Sequence, residues 1–122
     1  MTKQVSYNGS RGHYSGNATV ERSDGYYLKP RNNWVNHSPG GFEWGYGGSG
    51  PSQLSLAILA DTLEDRIGNK GSIKALALHN YQSFKWDVVS RFNRSKFAIS
   101  QDVVWRWYED NGQTPEYPDD YD

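Results

Sequence analysis

The chain has 122 residues, with 13 Lys and Arg against 14 Asp and Glu, and it contains no cysteine. This length fits one domain, and the near-zero net charge argues against a generally basic nucleic-acid-binding surface. The lack of cysteine excludes disulfides, thiolate nucleophiles and cysteine-ligated zinc. No apolar run approaches the ~20 residues that span a bilayer, and the polar start is unlike a signal peptide. We therefore expect a cytoplasmic protein that does not bind membranes.

Two strands and a tight turn are predicted near the start of the chain. Apolar and polar residues alternate in Thr2–Asn8 and again in Ala18–Arg22, with a break rich in Gly and Ser between them. Asp24 and Gly25 then precede a third apolar run, Tyr26–Leu28. An Asp-Gly pair between two such runs is typical of a hairpin, because glycine tolerates the positive φ of the turn. We therefore predict that Tyr26–Leu28 returns alongside Ala18–Arg22.

A central helix is predicted to begin at Pro51, with Ser49 or Gly50 as its cap. Residues Leu54–Leu63 are apolar on nearly every side, which is typical of a buried helix. Gly68 is a suitable residue to end it. We therefore expect this helix to form the core of the domain.

Two more helices and a short strand are predicted in the second half. Ser72 is placed to cap a helix that runs to about Phe92, with one apolar stripe at Ala77, Tyr81, Phe84 and Val88. Lys96–Ile99 is predicted as a short strand, and Ser100 as the cap of a third helix. The elements together predict an α+β fold, in which a small N-terminal antiparallel sheet of two to four strands packs on two or three helices. The single domain is expected over residues 1–108, and the acidic, aperiodic residues 109–122 are expected to form a flexible tail.

The segment with the strongest chemical character lies just before the central helix. Six of the 11 residues from 40 to 50 are glycine, so the backbone there can adopt conformations that other residues resist. Glycine amides at a helix start can converge on an anion, which the helix dipole favours. The segment lacks both the Lys-Ser/Thr of a Walker loop and the GxGxxG spacing of a dinucleotide site. We predict a ligand-binding face made of Trp44, Tyr46, Gly47, Gly48, Ser49, Gly50, Ser52 and Gln53. The alternative is that the glycines let Trp44 and Tyr46 pack against the helix.

The same segment carries a resemblance. The string NHSPGGFEWGYGGSGPSQL at 36–54, followed by NYQSFKWDVV at 80–89, resembles an uncharacterised domain family of bacteria, archaea and their phages. The similarity runs from about Tyr7 to about Tyr108 and is densest at Asn36–Leu59 and Tyr81–Val89. It implies no activity, and the tail beyond Glu109 has no counterpart in it. The spread of the family through phage and mobile-element genomes implies an accessory role, such as host takeover or inhibition of CRISPR or another defence system. We therefore predict a non-enzymatic accessory protein without a cofactor, which binds a protein partner or a small anionic ligand.

Two alternatives stay open. Glu43 and His37 could form an acid–base pair beside the glycine turn, which would make the protein a small enzyme. A basic cluster interleaved with aromatic residues could bind a nucleic-acid strand through Lys85, Arg91, Arg94 and Lys96. The three histidines, His13, His37 and His79, are too far apart in sequence to suggest a shared metal ion, and no metal site is predicted.

Overall fold

The computed structural model describes residues 4–12, 17–68 and 72–115. Its elements in chain order are β1 (Ser6–Arg11), β2 (Ala18–Arg22), α1 (Ser49–Ile67), α2 (Ile73–Asp87), a 3-10 turn (Val89–Arg91), β3 (Phe97–Ser100) and α3 (Gln101–Asn111). The strands form one antiparallel sheet in the order β2-β1-β3. The predicted α+β class, with a small antiparallel sheet packed on helices, is confirmed. Residues 2 and 3 of the predicted first strand lie outside the described residues.

The predicted pairing of Tyr26–Leu28 with β2 is wrong. The turn itself forms, because Gly25 adopts a φ of 85° and its N–H donates to Arg22 O at 3.1 Å. However, β2 pairs only with β1 in the described part of the chain, with Tyr7 opposite Arg22. Leu28 is buried in the core, while Tyr26 and Tyr27 face solvent. The segment after the turn therefore packs its leucine into the core and does not join the sheet.

Helix α1 is the centre of the molecule, as predicted. Every residue from Gly50 to Leu63 is buried between the sheet and the other two helices. The helix begins two residues before Pro51, which is tolerated because amides of the first turn have no acceptor within the helix. Gly68 ends it with a φ of 90°. Its N–H donates to Glu64 O at 2.9 Å.

Helix α2 ends at Asp87, five residues earlier than the sequence pattern indicates. Beyond Val88 the chain tightens into the 3-10 turn, in which Val89 O accepts the N–H of Phe92 at 3.3 Å and also that of Gly45 at 3.1 Å. The predicted stripe is confirmed, since Ala77, Tyr81 and Phe84 are buried. Helix α3 begins as predicted, where Ser100 Oγ accepts the N–H of Val103 at 3.2 Å.

The start of the predicted tail belongs to the fold. Helix α3 continues to Asn111, and the backbone of Gln113 exchanges two hydrogen bonds with the side chain of Asn80, at 2.7 and 2.8 Å. Pro115 is buried. Residues 116–122, which hold most of the acidic groups of the predicted tail, lie outside the described residues.

Candidate functional site

The glycine turn before α1 is tied to the end of α2. Gly45 has a φ of 86°, and its N–H donates to Val89 O at 3.1 Å. A Cβ on Gly45 would lie 2.6 Å from Cγ of Arg94, so only glycine leaves room for the arginine stem. The turn and the segment 89–94 are therefore neighbours in the fold, although more than 40 residues separate them in sequence.

Two exposed aromatic rings lie directly on this turn. A Cβ on Gly47 would overlap the indole of Trp86, and a Cβ on Gly48 would lie 2.5 Å from Cε2 of Tyr46. Both rings are nevertheless accessible, with exposed fractions of 57% for Trp86 and 40% for Tyr46. The absence of side chains at Gly47 and Gly48 thus lets the two rings pack directly on the backbone of the turn, while much of their surface stays exposed to solvent. Tyr46 is therefore exposed at the predicted ligand face, and its role in binding stays a prediction.

Cations stand beside both rings. The Lys85 ammonium lies 4.2 Å from the centre of the Trp86 ring and 3.4 Å from Gly47 O. The Arg94 guanidinium lies 5.2 Å from the centre of the Tyr46 ring. Lys85 is only 6% exposed, and this burial lowers the pKa of its ammonium. Arg91 is also adjacent, since its Nε donates to Trp86 O at 3.4 Å.

We call these five residues, Tyr46, Lys85, Trp86, Arg91 and Arg94, the aromatic–basic surface. It contains one member of the predicted ligand face and three of the four residues predicted for nucleic-acid binding, so the structure brings two separate sequence hypotheses to one place. Lys96, the fourth, is exposed two residues beyond Arg94.

The cations of this surface differ in their electrostatic environment from four of the five other arginines. Arg11, Arg22, Arg31 and Arg66 each form an ion pair with at least one carboxylate. Among the described residues, no carboxylate lies within ion-pair distance of Lys85, Arg91 or Arg94. Arg94 is still close enough to Glu43 to help Arg11 lower the pKa of that carboxyl, so the positive charge without a carboxylate neighbour lies mainly on Lys85 and Arg91.

Four members of the predicted ligand face are buried, and two of them, Trp44 and Gln53, have no exposed surface at all. Trp44 has no exposed surface, because its ring packs edge-on against Phe97 with the Arg11 guanidinium 4.5 Å from its centre. Gln53 is also fully buried. Its side-chain amide donates to Pro30 O and Val35 O and accepts the N–H groups of His37 and Ser38, at 2.6 to 3.2 Å. Neither side chain is accessible to a ligand, and Gln53 fastens the segment 30–38 to α1.

The remaining predicted residues border the aromatic–basic surface at the start of α1. Ser49 is exposed, whereas Gly50 is buried against the stem of Glu43. Ser52 is buried, and its Oγ lies 3.4 Å from Gln82 Oε1. Its N–H is already bonded to Gly48 O at 3.0 Å.

The predicted acid–base pair is not assembled in the described structure. Glu43 accepts two hydrogen bonds from Arg11, at 2.8 and 3.1 Å, and this pairing lowers the pKa of its carboxyl. A carboxylate whose pKa is lowered is a weaker base. His37 Nε2 is instead hydrogen-bonded to Tyr81 Oη at 2.6 Å. The two side chains therefore have different partners.

A buried polar network was missed by the sequence analysis. Tyr7 Oη donates to Asp61 Oδ2 at 2.6 Å and accepts Gln101 Nε2 at 3.0 Å, which joins β1, α1 and α3. Burial raises the pKa of Asp61. The signal available in the sequence was the single acid at 61 within an otherwise apolar run. Within residues 4–12, 17–68 and 72–115, no cluster of three or more His, Asp or Glu could hold a metal ion, and His13 lies outside those ranges.

These features define a small α+β protein with one aromatic, positively charged surface at the junction of α1 and α2. A family model, described as a family of unknown function (DUF6166), matches residues 7–110, and the chain belongs to this family. The extent of the match agrees with the resemblance seen in the sequence. No curated protein and no solved structure matches the chain. Among the described residues, no helix is both long enough and apolar enough to cross a membrane.

Proposed function

We propose that the protein is a non-enzymatic binding protein and that the aromatic–basic surface holds an anionic ligand. The observation that carries the proposal is the placement of Lys85, Arg91 and Arg94 around two exposed rings, with no carboxylate of the described chain in ion-pair contact with them. An anion would neutralise these cations, and the rings would contact any planar or apolar group attached to it.

The burial of Lys85 supports a binding role over a purely structural one. Holding an ammonium away from water without a carboxylate partner costs stability, and one bond of 3.4 Å to Gly47 O together with the contact to the Trp86 ring offsets only part of that cost. Groups that are unfavourable for folding are often those that function requires. The start of α1 adds a partial positive charge on the same side, where Ser49 is exposed.

A flexible nucleic-acid strand is the second candidate, favoured by the two exposed rings. Bases stack on aromatic side chains in a sequence-tolerant way, and neighbouring cations contact the phosphates. Tyr46 and Trp86 offer such rings, and Arg91, Arg94 and Lys96 supply exposed cations beyond them.

A titration with three probes tests the proposal: inorganic phosphate, an oligoglutamate peptide and an oligothymidylate of about eight nucleotides. We expect at least one of them to bind, with an affinity that falls as salt is raised. Arg94→Gln should weaken binding, whereas the matched variant Arg106→Gln, at an exposed position of α3, should not. Tight binding of the oligothymidylate alone would favour the second candidate. Binding of none of the probes, or equal loss in both variants, would overturn the proposal.

The finer parts of the functional prediction stay predictions. An accessory role in phages or mobile elements, including inhibition of a defence system, agrees with a small binding protein of this kind. So do a cytoplasmic location and a protein partner, whose acidic surface would be one source of the anionic group. An acidic partner would compete with the oligoglutamate peptide for the same surface.

A further inference from the structure

In the described part of the chain, no strand pairs with the outer edge of β2. Ser23 N–H donates to Ser6 O at 2.9 Å and Gly12 N–H donates to Asn17 O at 2.8 Å. Bonded and non-bonded pairs alternate along an antiparallel ladder. The register of β1 with β2 therefore directs the amides of Thr19 and Glu21 towards β1.

The alternate residues of β2, Ala18, Val20 and Arg22, then direct their N–H and C=O groups away from the sheet. Arg22 O bonds to the turn at Gly25, but the described chain provides no strand for the others. This edge is where the predicted hairpin partner, Tyr26–Leu28, would have paired. The fold thus leaves one strand position empty beside β2.

Two cavities lie along this edge. One, of about 340 Å³, is lined by residues 20–22 of β2 and by residues 25–28, and the exposed Tyr26 and Tyr27 form part of its wall. The other, of about 570 Å³, is lined by residues 17–19 and by parts of the segment 38–43. Every residue of β2 lines one of the two cavities. We call this feature the β2 trough.

The charge around the trough selects the kind of segment that would fit it. Arg22 pairs with Asp24 and Asp65, both partly exposed, and with Asp61, which is buried in the network with Tyr7, so the exposed carboxylates exceed this one guanidinium. Glu21 adds a further carboxylate on the exposed face of the strand, and no cation of the described residues pairs with it. The end of β2 near Tyr26 is therefore acidic.

We propose that the β2 trough binds an extended, basic segment of a partner protein by strand addition. The outward groups of Ala18 and Val20 supply the main-chain hydrogen bonds, as in other proteins that extend an exposed sheet edge. A Lys or Arg of the bound segment faces Glu21, since both side chains project from the solvent-facing side of the sheet. Tyr26 and Tyr27 cover the apolar stems of the segment. This site has the opposite charge to the aromatic–basic surface and does not depend on it.

Hydrogen exchange of the full chain, measured residue by residue by NMR, tests the proposal with acetyl-KVTVK-amide as the probe. In the free protein the amides of Val20 and Arg22 should exchange fast, and those of Thr19 and Glu21 should be protected. The peptide should protect Val20 and Arg22 and leave the protection of Thr19 and Glu21 unchanged. This alternation is the pattern of a strand added to the outer edge of β2, and its dependence on the peptide distinguishes the peptide from a second copy of the chain.

Two variants and a second peptide sharpen the test. Glu21→Lys should weaken binding about three- to fivefold, the effect of one cross-strand charge pair, while Glu109→Lys on α3 should leave it unchanged. The acidic peptide acetyl-EVTVE-amide should bind more weakly than the basic one. Ala18→Pro should abolish binding but keep the fold, since proline is tolerated where the strand N–H faces outward.

Three results would overturn the proposal. The first is that the basic peptide leaves the exchange of Val20 and Arg22 unaltered. The second is that these amides are already protected in the free protein because a second copy pairs with the edge, seen as a dimer by sedimentation. The third is equal binding of the two peptides by the wild-type protein and by Glu21→Lys. If Ala18→Pro fails to fold, the charge variants and the exchange pattern still decide.

Discussion

Gly47 lies so close beneath the indole of Trp86 that a single added methyl group would overlap the ring. This contact joins the turn before α1 to the last turn of α2. It also explains why glycine stands at position 47. Gly47 does not have a positive φ, so the reason is the space that the Trp86 ring requires and not the backbone conformation. The position of Trp86 on the aromatic–basic surface therefore depends on a residue that has no side chain.

Gly47→Ala is expected to displace the Trp86 ring while leaving the fold intact. Because the ring is exposed and can swing outward, the free energy of unfolding should fall by only about 1 kcal/mol. The matched control is Gly40→Ala, where a Cβ would meet no atom within 4 Å and φ is not positive. Urea unfolding and the NMR shift of the Trp86 indole N–H measure the two effects. An indole shift unchanged in Gly47→Ala would contradict the contact.

Lys85→Met should separate binding from stability. Burial lowers the pKa of Lys85 below its ordinary value of 10.5, so the folded protein holds this proton less readily than the unfolded chain does. The resulting cost is greatest at neutral pH and disappears as the pH rises through the ordinary value. We therefore expect Lys85→Met to be as stable as the wild type or slightly more so at neutral pH, and the difference to shrink towards alkaline pH.

The same variant should lose affinity for any anionic probe that the wild type binds. The comparison of urea unfolding with the probe titration makes the test specific. If Lys85 were only structural, its replacement would lower the free energy of unfolding and the affinity for the probe together. Lys74→Met, on the same helix and also without an ion-pair partner among the described residues, is the control. A marked drop in stability for Lys85→Met would contradict the proposed role.

Gln53→Ala should be strongly destabilising, because one buried amide holds four main-chain groups. Its removal leaves carbonyls of Pro30 and Val35 and amides of His37 and Ser38 without partners. We expect a loss of roughly 2–4 kcal/mol. Gln82→Ala, which removes one bond of 3.4 Å, should cost less than about 1 kcal/mol. Equal losses in the two variants by urea unfolding would contradict the anchoring role of Gln53.

The helices were predictable because their signals are local. The apolar run Leu54–Leu63, the stop at Gly68 and the cap at Ser100 each depend on residues close in sequence, and each prediction is confirmed. The early end of α2 was not predictable, because the chain changes to a 3-10 turn at the place where Val89 O meets the N–H of Gly45, a residue distant in sequence. The pairing partner of β2 was mispredicted for the same reason: a turn signal shows where the chain reverses but not which strand it joins.

The candidate site was predictable in its parts but not in its assembly. The sequence marked Tyr46 with its glycines and, separately, Lys85, Arg91 and Arg94, yet contacts through Gly45 and Gly47 place these groups together. Burial separates Trp44 from Tyr46, two residues apart, because only the first packs into the core against Phe97. Residue type alone carries no information on which of two neighbouring rings faces solvent.

The ion pair of Glu43 with Arg11 should make part of the stability depend on pH. Two hydrogen bonds from Arg11 lower the pKa of Glu43 below its ordinary value of 4.5, so the folded protein binds this proton less readily than the unfolded chain. The stability that the pair contributes is therefore present above about pH 4.5 and is lost as the pH falls through the lowered pKa. Because both side chains are partly exposed, the contribution should stay below about 1 kcal/mol.

Urea unfolding of the wild type, Glu43→Gln and Arg11→Gln at a series of pH values measures this contribution. The stability gap between wild type and Glu43→Gln should be largest near neutral pH and should close in acid, where the wild-type carboxyl is protonated. For Arg11→Gln, the stability gap to the wild type should change with pH in the same way. This variant should also lose a further amount of stability that does not depend on pH, since Arg11 donates to Arg94 O and contacts the Trp44 ring. A gap for Glu43→Gln that does not change with pH would mean that the pair adds no electrostatic stability.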